Sequence, residues 1–201
     1  MAWQTKMFRV SGPDCPPTLC YYEEGRFVVV GEKEQIGFIK APFASMLTWS
    51  VFNSSDKEPC ECILYEPASH LTTLSLIVLL HGGPHNTFAA LYTPDILYYI
   101  HHGFAVLVPN YHGSFGYGDA FLHSLNGHIG EVDVQDVLNA LSTTLAKRPT
   151  IDPESIIVMG SSYGGFLSMR LLEARPSLFK VGVDGEFDNS MQLSETECWI
   201  L

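Results

Sequence analysis

The spacing of hydrophobic residues changes near residue 60 of this chain. Before that point the apolar runs are short, as at residues 27–30 and 36–39, and Gly, Pro and polar residues separate them. Such runs predict a few antiparallel strands, too few to close a domain of their own. Residues 11–17 contain three prolines and a glycine, so we expect a loop there that cannot continue a central strand. We therefore predict a short β-rich segment over residues 1–59.

From residue 60 onward, strand-like and helix-like patterns alternate. Four apolar runs indicate buried strands: residues 63–65, 76–80, 104–108 and 156–159. Two stretches have helical spacing: residues 95–102 and 131–147. Pro109 is expected to end the third strand, and a further helix and strand are expected after residues 166 and 179. The alternation predicts an α/β domain over residues 60–201, with a mainly parallel sheet covered by helices on both faces. Residues 184–201 have no clear period and stay unassigned.

The composition is that of a globular protein, since 46% of the 201 residues are hydrophobic and 16% are charged. Eleven basic and 22 acidic side chains give a formal net charge of −11, which argues against a nucleic acid or an anionic membrane as partner. The first residues lack the apolar core of a secretory signal, and the apolar run at residues 76–80 is too short to span a bilayer. We therefore expect a cytoplasmic protein.

The cysteines and histidines do not form a metal-binding pattern. Five irregularly spaced cysteines are no disulfide framework, and Cys60 and Cys62 have no second pair that would complete a zinc site. His81 and His85 are separated by two glycines and a proline, which forbid the helix that a helical zinc motif requires. The glycines of residues 113–118 have the wrong spacing for a dinucleotide fingerprint. We predict neither a metal nor a cofactor.

The strongest chemical signal is the motif Gly160-x-Ser162-x-Gly164. It follows the predicted strand at residues 156–159 and precedes a helical pattern. In α/β-hydrolases this context forms a nucleophile elbow, in which a strained turn exposes the serine hydroxyl and small neighbours let the backbone pass closely. An ordinary Gly/Ser turn is the alternative. The strand before the motif and the helix after it favour Ser162 as a catalytic nucleophile.

Acyl transfer also requires N–H donors at the position where an oxyanion forms. Tyr163, directly after the serine, is expected to supply one backbone N–H. The loop after an earlier strand should supply the other, and residues 81–85 (His-Gly-Gly-Pro-His) have this place after the strand at residues 76–80. We assign the second donor to the Gly83 amide, and a flexible strand-to-helix turn is the alternative. The residues that support these two motifs are His81, Gly82, Gly160 and Gly164.

Three segments occur together in one order along the chain: HGGPH at residues 81–85, NYHGSFGYG at 110–118 and GSSYGGF at 160–166. Together with GHIGEVDVQDV at residues 127–137, they resemble the catalytic domain of the prolyl oligopeptidase family. Within this family the likeness is to the acylaminoacyl peptidases. The resemblance covers about residues 60–180. Three ordered motifs are far more specific than the serine motif alone.

The resemblance implies an α/β-hydrolase domain capped by a β-propeller, and a serine peptidase that removes an N-acylated residue from short peptides through an acyl-enzyme. Ser162 then corresponds to the nucleophile, and the Gly83 and Tyr163 amides to the oxyanion hole. Residues 1–59 resemble the end of a propeller, and residues 60–201 the N-terminal part of the catalytic domain. The implied partner is an N-acylated peptide, and a homo-oligomer is left open. His112 stands where relatives usually have arginine. Whether His112 makes the basic contact of that arginine, to substrate or to a neighbouring loop, is left open.

The histidines are the main departure from this family. In α/β-hydrolases the triad runs in the order serine, acid, histidine, yet all eight histidines of this chain precede Ser162. Asp184 and Asp188 follow the elbow too closely to be the acid. We expect the acid and the histidine to lie beyond Leu201, and the 201-residue chain to be inactive or impaired. Two other functions stay open: a non-catalytic isoform or fragment that binds a full-length subunit, and a carboxylesterase.

Overall fold

The computed structural model describes residues 7–13, 15–23, 25–30, 43–51, 59–68, 72–184 and 197–200. The first three strands form an antiparallel sheet of their own, in the order β1 (Met7–Gly12), β2 (Cys15–Glu23) and β3 (Arg26–Val29). This agrees with the antiparallel strands expected before residue 60. The strand predicted at residues 36–39 lies outside the described residues.

A second sheet holds the remaining seven described strands, in the order β10-β9-β8-β6-β7-β5-β4. Their bounds are β4 Phe43–Val51, β5 Cys60–Pro67, β6 Leu74–Leu80, β7 Ala105–Asn110, β8 Ile151–Gly160, β9 Val181–Asp184 and β10 Glu197–Ile200. The helices are α1 Pro94–His101, α2 Asp119–His123, α3 Val132–Lys147 and α4 Tyr163–Ala174. The predicted helices at residues 95–102 and 131–147 and the predicted strands at residues 63–65, 76–80, 104–108 and 156–159 are therefore confirmed, with bounds shifted by a few residues.

The sheet is parallel only in its centre. β7, β6, β8 and β9 pair in parallel, whereas β10 at one edge and β5 and β4 at the other pair antiparallel. The prediction of a mainly parallel sheet therefore holds for the four central strands and is wrong for both edges. The predicted boundary between residues 59 and 60 falls between two paired strands of this sheet, because Val51 of β4 lies opposite Cys60 of β5.

Three prolines that were expected to interrupt strands lie inside them instead. Pro16 and Pro17 belong to β2, and Pro109 belongs to β7. β3 pairs only with residues 20–23 of β2, so it does not reach Pro16 and Pro17. β6 pairs only with residues 105–107 of β7, so it does not reach Pro109. A proline lacks the N–H that a second neighbour would need, so it is tolerated where one edge of the strand is free.

Helices cover both faces of the large sheet, as predicted. Alternate residues of β6 point to opposite faces, so Leu76 and Val78 join a core with α3 and α4, whereas Ile77 joins a core with α1. On α3, Val134, Val137 and Leu141 form the buried apolar face, and this face also contains the buried side chains of Asp133, Asp136 and Thr144. Within the described ranges, no helix is long and apolar enough to cross a membrane.

We expect Leu107→Ala to lower the free energy of unfolding by about 2–5 kcal/mol, because it removes buried methyl groups and leaves a cavity in the central sheet. Leu107 of β7 is 0% exposed, whereas the control Leu91 is 54% exposed in a loop. Urea unfolding of Leu107→Ala and Leu91→Ala measures both losses. Equal losses in the two variants would contradict the placement of β7 in the core.

Candidate active site

The elbow forms at the carboxyl end of β8, directly before α4. β8 ends at Gly160, α4 begins at Tyr163, and Ser162 between them has φ 56° and ψ −120°. Among the described residues, Ser162 is the one non-glycine residue with a positive φ. Such a backbone conformation is costly for a residue with a side chain and is characteristic of nucleophile elbows. The strand, turn and helix that the sequence predicted around Ser162 are all present.

Gly160 and Gly164 are required by close backbone contacts. A methyl group on Gly160 would lie 2.5 Å from the carbonyl carbon of Gly164, and one on Gly164 would lie 2.4 Å from the carbonyl oxygen of Leu80. Both distances are far shorter than a van der Waals contact. The lack of a side chain at Gly160 lets the end of β8 lie against the first turn of α4, and the lack of one at Gly164 lets this turn pack against the end of β6.

The loop of residues 81–85 lies directly against the elbow. β6 and β8 are parallel neighbours with Leu80 opposite Gly160, so the segments that follow them start side by side. A methyl group on Gly82 would lie 3.5 Å from Ser162 Cβ and 3.9 Å from Ser162 Oγ. Gly83 has φ 125°, a conformation that favours glycine. The structure thus places Gly82 of this loop against Ser162, with His81 and Gly83 on either side of it in the chain.

Tyr163 is the first residue of α4, where a backbone N–H has no partner within the helix. Its side chain points to α3, since its hydroxyl donates a hydrogen bond to Asp133 Oδ2 at 2.5 Å. Asp133 is fully buried, and its Oδ1 accepts from the backbone N–H of Val134 at 2.9 Å. Burial, followed by the hydrogen bond to Asp133, raises the pKa of Tyr163 and keeps its hydroxyl a donor. This contact fixes the first turn of α4.

Tyr111 joins the two halves of the site. Its ring stacks on His81 at a centroid distance of 4.3 Å and lies 6.1 Å from the ring of Tyr163. Its hydroxyl donates to the carbonyl oxygen of His81 at 2.6 Å. Sequence reasoning quoted Tyr111 as part of a motif but gave it and Asp133 no role. The available signal was that Asp133 and Asp136 lie among the apolar residues Val134 and Val137 of a predicted helix.

Both ring nitrogens of His81 lie within hydrogen-bond distance of neighbouring residues. Nδ1 lies 2.9 Å from the carbonyl oxygen of Gly82, and Nε2 lies 3.0 Å from Ser114 Oγ. Burial lowers the pKa of His81, and the hydrogen bond to Gly82 opposes this shift. His81 is therefore a neutral residue at neutral pH that shapes the loop.

His112 makes its basic contact with α3. Its Nδ1 lies 2.6 Å from Asp136 Oδ2, which also accepts from the His112 backbone N–H at 2.8 Å, and both side chains are buried. The ring stacks on Phe121 at 4.2 Å. Burial raises the pKa of Asp136, and the hydrogen bonds from His112 oppose this effect. His112 anchors the segment that carries Tyr111 to α3.

None of the histidines in the described part of the chain forms a hydrogen bond with Ser162 Oγ. His85 Nδ1 donates to the carbonyl oxygen of Gly113 at 2.8 Å, which ties the loop of residues 81–85 to the segment after β7. Across these same residues, no three His, Cys, Asp or Glu side chains are grouped so that they could hold a metal ion.

We expect Gly164→Ala to destabilise the protein by about 3 kcal/mol, because the methyl group would overlap a backbone carbonyl that cannot move independently of β6. Gly127→Ala is the control, since Gly127 has φ 79° with no atom within 4 Å of an added methyl group, and it should lose about 1 kcal/mol from backbone strain alone. Urea unfolding compares the two variants. A loss for Gly164→Ala no larger than that for Gly127→Ala would contradict the close contact.

The lowered pKa of His81 predicts a stability that falls in acid. An unfolded chain binds a proton at His81 near the usual pKa of 6.5, whereas the folded chain resists it, so stability is fully present above pH 6.5 and is lost as the pH falls below it. The slope reaches at most about 1.4 kcal/mol per pH unit. Urea unfolding at pH 6.5 and 5.5 measures this pH dependence of the free energy of unfolding. We expect His81→Gln to lack the part that comes from His81, and the exposed control His123→Gln to retain it. An unchanged slope in His81→Gln would contradict a neutral, buried His81.

Comparison with known proteins agrees with the architecture and the motifs. The sequence model of the Prolyl oligopeptidase family matches residues 92–200. The chain is 38% identical over 141 residues to acylamino-acid-releasing enzyme 1 of Oryza sativa subsp. japonica, which covers 67% of this chain and 18% of that protein. It is 36% identical over 125 residues to the acylamino-acid-releasing enzyme of Homo sapiens, which covers 61% of this chain and 17% of that protein. The chain thus spans less than a fifth of these relatives.

Two solved structures have the same fold. An acylaminoacyl peptidase of Pyrococcus horikoshii superposes with a TM-score of 0.77 at 22% identity, over 90% of this chain and 29% of that chain. An acylaminoacyl peptidase in complex with Z-Gly-Gly-Phe-chloromethyl ketone gives a TM-score of 0.78 at 23% identity, over 90% of this chain and 29% of that chain. These likenesses confirm the expected α/β-hydrolase fold. Because the family model matches more than half of the residues, the chain belongs to the prolyl oligopeptidase family.

Proposed function

We propose that Ser162 is the nucleophile of a serine peptidase. The observation that carries this proposal is the positive φ of Ser162 at the end of β8, with Gly82 of the neighbouring loop packed against it. A strained serine at a strand-to-helix turn exposes its hydroxyl above the sheet, where a substrate carbonyl can approach. Membership of the prolyl oligopeptidase family supports the same chemistry.

In the proposed reaction, Ser162 Oγ attacks the carbonyl carbon of the scissile bond and its proton passes to a general base. The carbonyl oxygen becomes an oxyanion, for which we propose the backbone N–H groups of Gly83 and Tyr163 as donors. The tetrahedral intermediate then expels the amine, which takes up a proton and leaves an ester between Ser162 and the acyl part. Water hydrolyses this ester and releases the acid. No cofactor takes part in this scheme.

For the substrate we propose a short peptide with an acylated N-terminus, from which the acylated residue is released. Similarity to acylamino-acid-releasing enzymes of rice and human supports this choice, as does a similar acylaminoacyl peptidase in complex with a peptide-like chloromethyl ketone. The buried free thiols of Cys20 and Cys60 support a reducing, cytoplasmic location, which we include in the proposal.

For the domain organisation, we propose that β1, β2 and β3 correspond to the end of a propeller blade. Because β4 pairs with β5 along eight positions, the α/β-hydrolase part of this proposal starts at β4 rather than at residue 60. The sheet of β1–β3 exposes apolar side chains of Met7, Leu19 and Tyr22, which fits strands that pack against further strands in a longer protein.

We further propose that Ser162 in these 201 residues is only weakly activated. His81, His85 and His112 are held by Ser114, Gly113 and Asp136, and no described histidine contacts Ser162 Oγ. Without a base, the oxyanion hole and binding alone leave roughly a thousandfold to ten-thousandfold acceleration over water in serine proteases. The same observation favours a second candidate, a non-catalytic chain that binds a full-length subunit.

We expect a fluorophosphonate to label the chain slowly, and imidazole to raise the labelling rate because it supplies the missing base from solution. Intact mass should show one adduct, absent in Ser162→Ala and retained in the neighbouring control Ser161→Ala. An adduct that survives Ser162→Ala would contradict Ser162 as nucleophile. No Ser162-dependent adduct at any imidazole concentration would favour the non-catalytic candidate.

The substrate class is tested in the same assay by protection. An excess of an N-acetylated tripeptide should slow the labelling of Ser162, whereas the same tripeptide with a free N-terminus should not. Equal protection by both peptides would reject the acylated substrate, and protection by a simple ester alone would indicate a carboxylesterase.

A further inference from the structure

A cleft lies at the segments that follow β6 and β7, and its lining does not include Ser162. Its volume is about 410 Å³. It lies where the start of β5 pairs with the end of β7, and residues of the loops that follow β6 and β7 line it. The side chains that form it, here called the Glu61 cleft, belong to Glu61, Ile63, Thr87, Phe88, Phe115 and Tyr117. Its volume is in the range of pockets that bind small ligands or single side chains.

The Glu61 carboxylate has no cationic partner among the residues that the structure describes. Its Oε1 accepts a hydrogen bond from the Tyr117 hydroxyl at 3.2 Å. The other glutamate at the far end of the same strand, Glu66, is bound by Arg148 through two hydrogen bonds of 3.0 and 2.7 Å. Glu61 is thus a half-buried negative charge that faces a cleft, whereas Glu66 is already neutralised.

The walls of the Glu61 cleft are held in place before any ligand binds. The Asn110 side chain accepts from the Phe88 backbone N–H at 2.7 Å and donates to the Phe88 carbonyl oxygen and the Tyr117 hydroxyl, each at 2.9 Å. Asn110 is fully buried at the end of β7. Burial, followed by the charge of Glu61, raises the pKa of Tyr117 to about 12, so its hydroxyl stays a donor. A fixed pocket loses little entropy when it binds.

Aromatic rings complete the cleft next to the carboxylate. Phe88 and Phe115 line it, and half of the Phe115 side chain is exposed to solvent. A guanidinium group stacks on aromatic faces and pairs with a carboxylate, whereas an ammonium group is compact and strongly hydrated. The combination of Glu61 with these rings matches arginine better than lysine.

We propose that the Glu61 cleft binds an arginine side chain of a peptide, with the guanidinium on Glu61 and against Phe88 or Phe115. This assignment rests on the proposed peptide substrate, since the cleft is walled by residues 87–90, directly after the loop of residues 81–85 that packs against Ser162. Backbone contact between Phe115 N–H and the Asn86 carbonyl oxygen at 2.9 Å ties the two cleft loops together. The cleft then selects peptides by a basic side chain near the reacting bond.

The test is an NMR titration of the 201-residue chain with acetyl-arginine methylamide and with its neutral isostere, acetyl-citrulline methylamide. We expect arginine to bind more tightly, with shifts at Tyr117 and Phe115. Glu61→Gln, which keeps the shape and can still accept from Tyr117, should weaken arginine binding by about fivefold. Phe115→Ala, at an exposed ring, should weaken it by about threefold.

Two controls separate this proposal from the proposed function. Glu154→Gln removes an exposed carboxylate outside the cleft and should leave arginine binding unchanged. Ser162→Ala should also leave arginine binding unchanged. If the unaltered chain binds arginine but fluorophosphonate does not label its Ser162, the nucleophile is rejected and the cleft is kept. Equal affinity for arginine and citrulline, or full arginine binding by Glu61→Gln, would overturn the proposal.

Discussion

The close approach of two backbones at the ends of β6 and β8 is the constraint on which the site depends. The parallel register places Leu80 opposite Gly160, and the Gly164 α-carbon lies so near Leu80 that a methyl group would be 2.4 Å from its carbonyl oxygen. Any side chain at residue 164 would push α4 away from β6. Gly82 packs on Ser162 at the same ends of β6 and β8. Ser162 and the neighbouring loop can therefore lie this close together only because glycine has no side chain.

Around this contact, aromatic and charged side chains give the interior its rigidity. Tyr111 lies between the rings of His81 and Tyr163, while Asp133 fixes Tyr163 and Asp136 fixes His112. Two buried carboxylates on one helix are costly unless they are hydrogen-bonded. α3 therefore acts as a polar anchor for both the elbow and the segment after β7, in addition to its apolar packing.

The sequence predicted those parts that depend on local pattern. The elbow around Ser162 and the helix at α3 follow from short-range spacing and turn chemistry, and both are present. What it missed depends on contacts between distant segments: the antiparallel pairing of β5 with β7, and the role of Asp133, whose partner Tyr163 lies 30 residues away. Pro109 shows the same limit, because its tolerance in β7 depends on where a neighbouring strand stops.

The backbone conformation of Ser162 and the base that the proposed reaction requires depend on different parts of the structure. The positive φ of Ser162 belongs to the strand-to-helix turn, which the close backbone contacts of Gly160 and Gly164 permit. The general base of the proposed reaction needs a proton acceptor close to Ser162 Oγ, which the turn itself does not include. His81, in the loop of residues 81–85, has its ring nitrogens at Gly82 and Ser114, and burial lowers its pKa. The strained backbone of Ser162 therefore fits the α/β-hydrolase fold, while none of the described histidines forms a hydrogen bond with its Oγ.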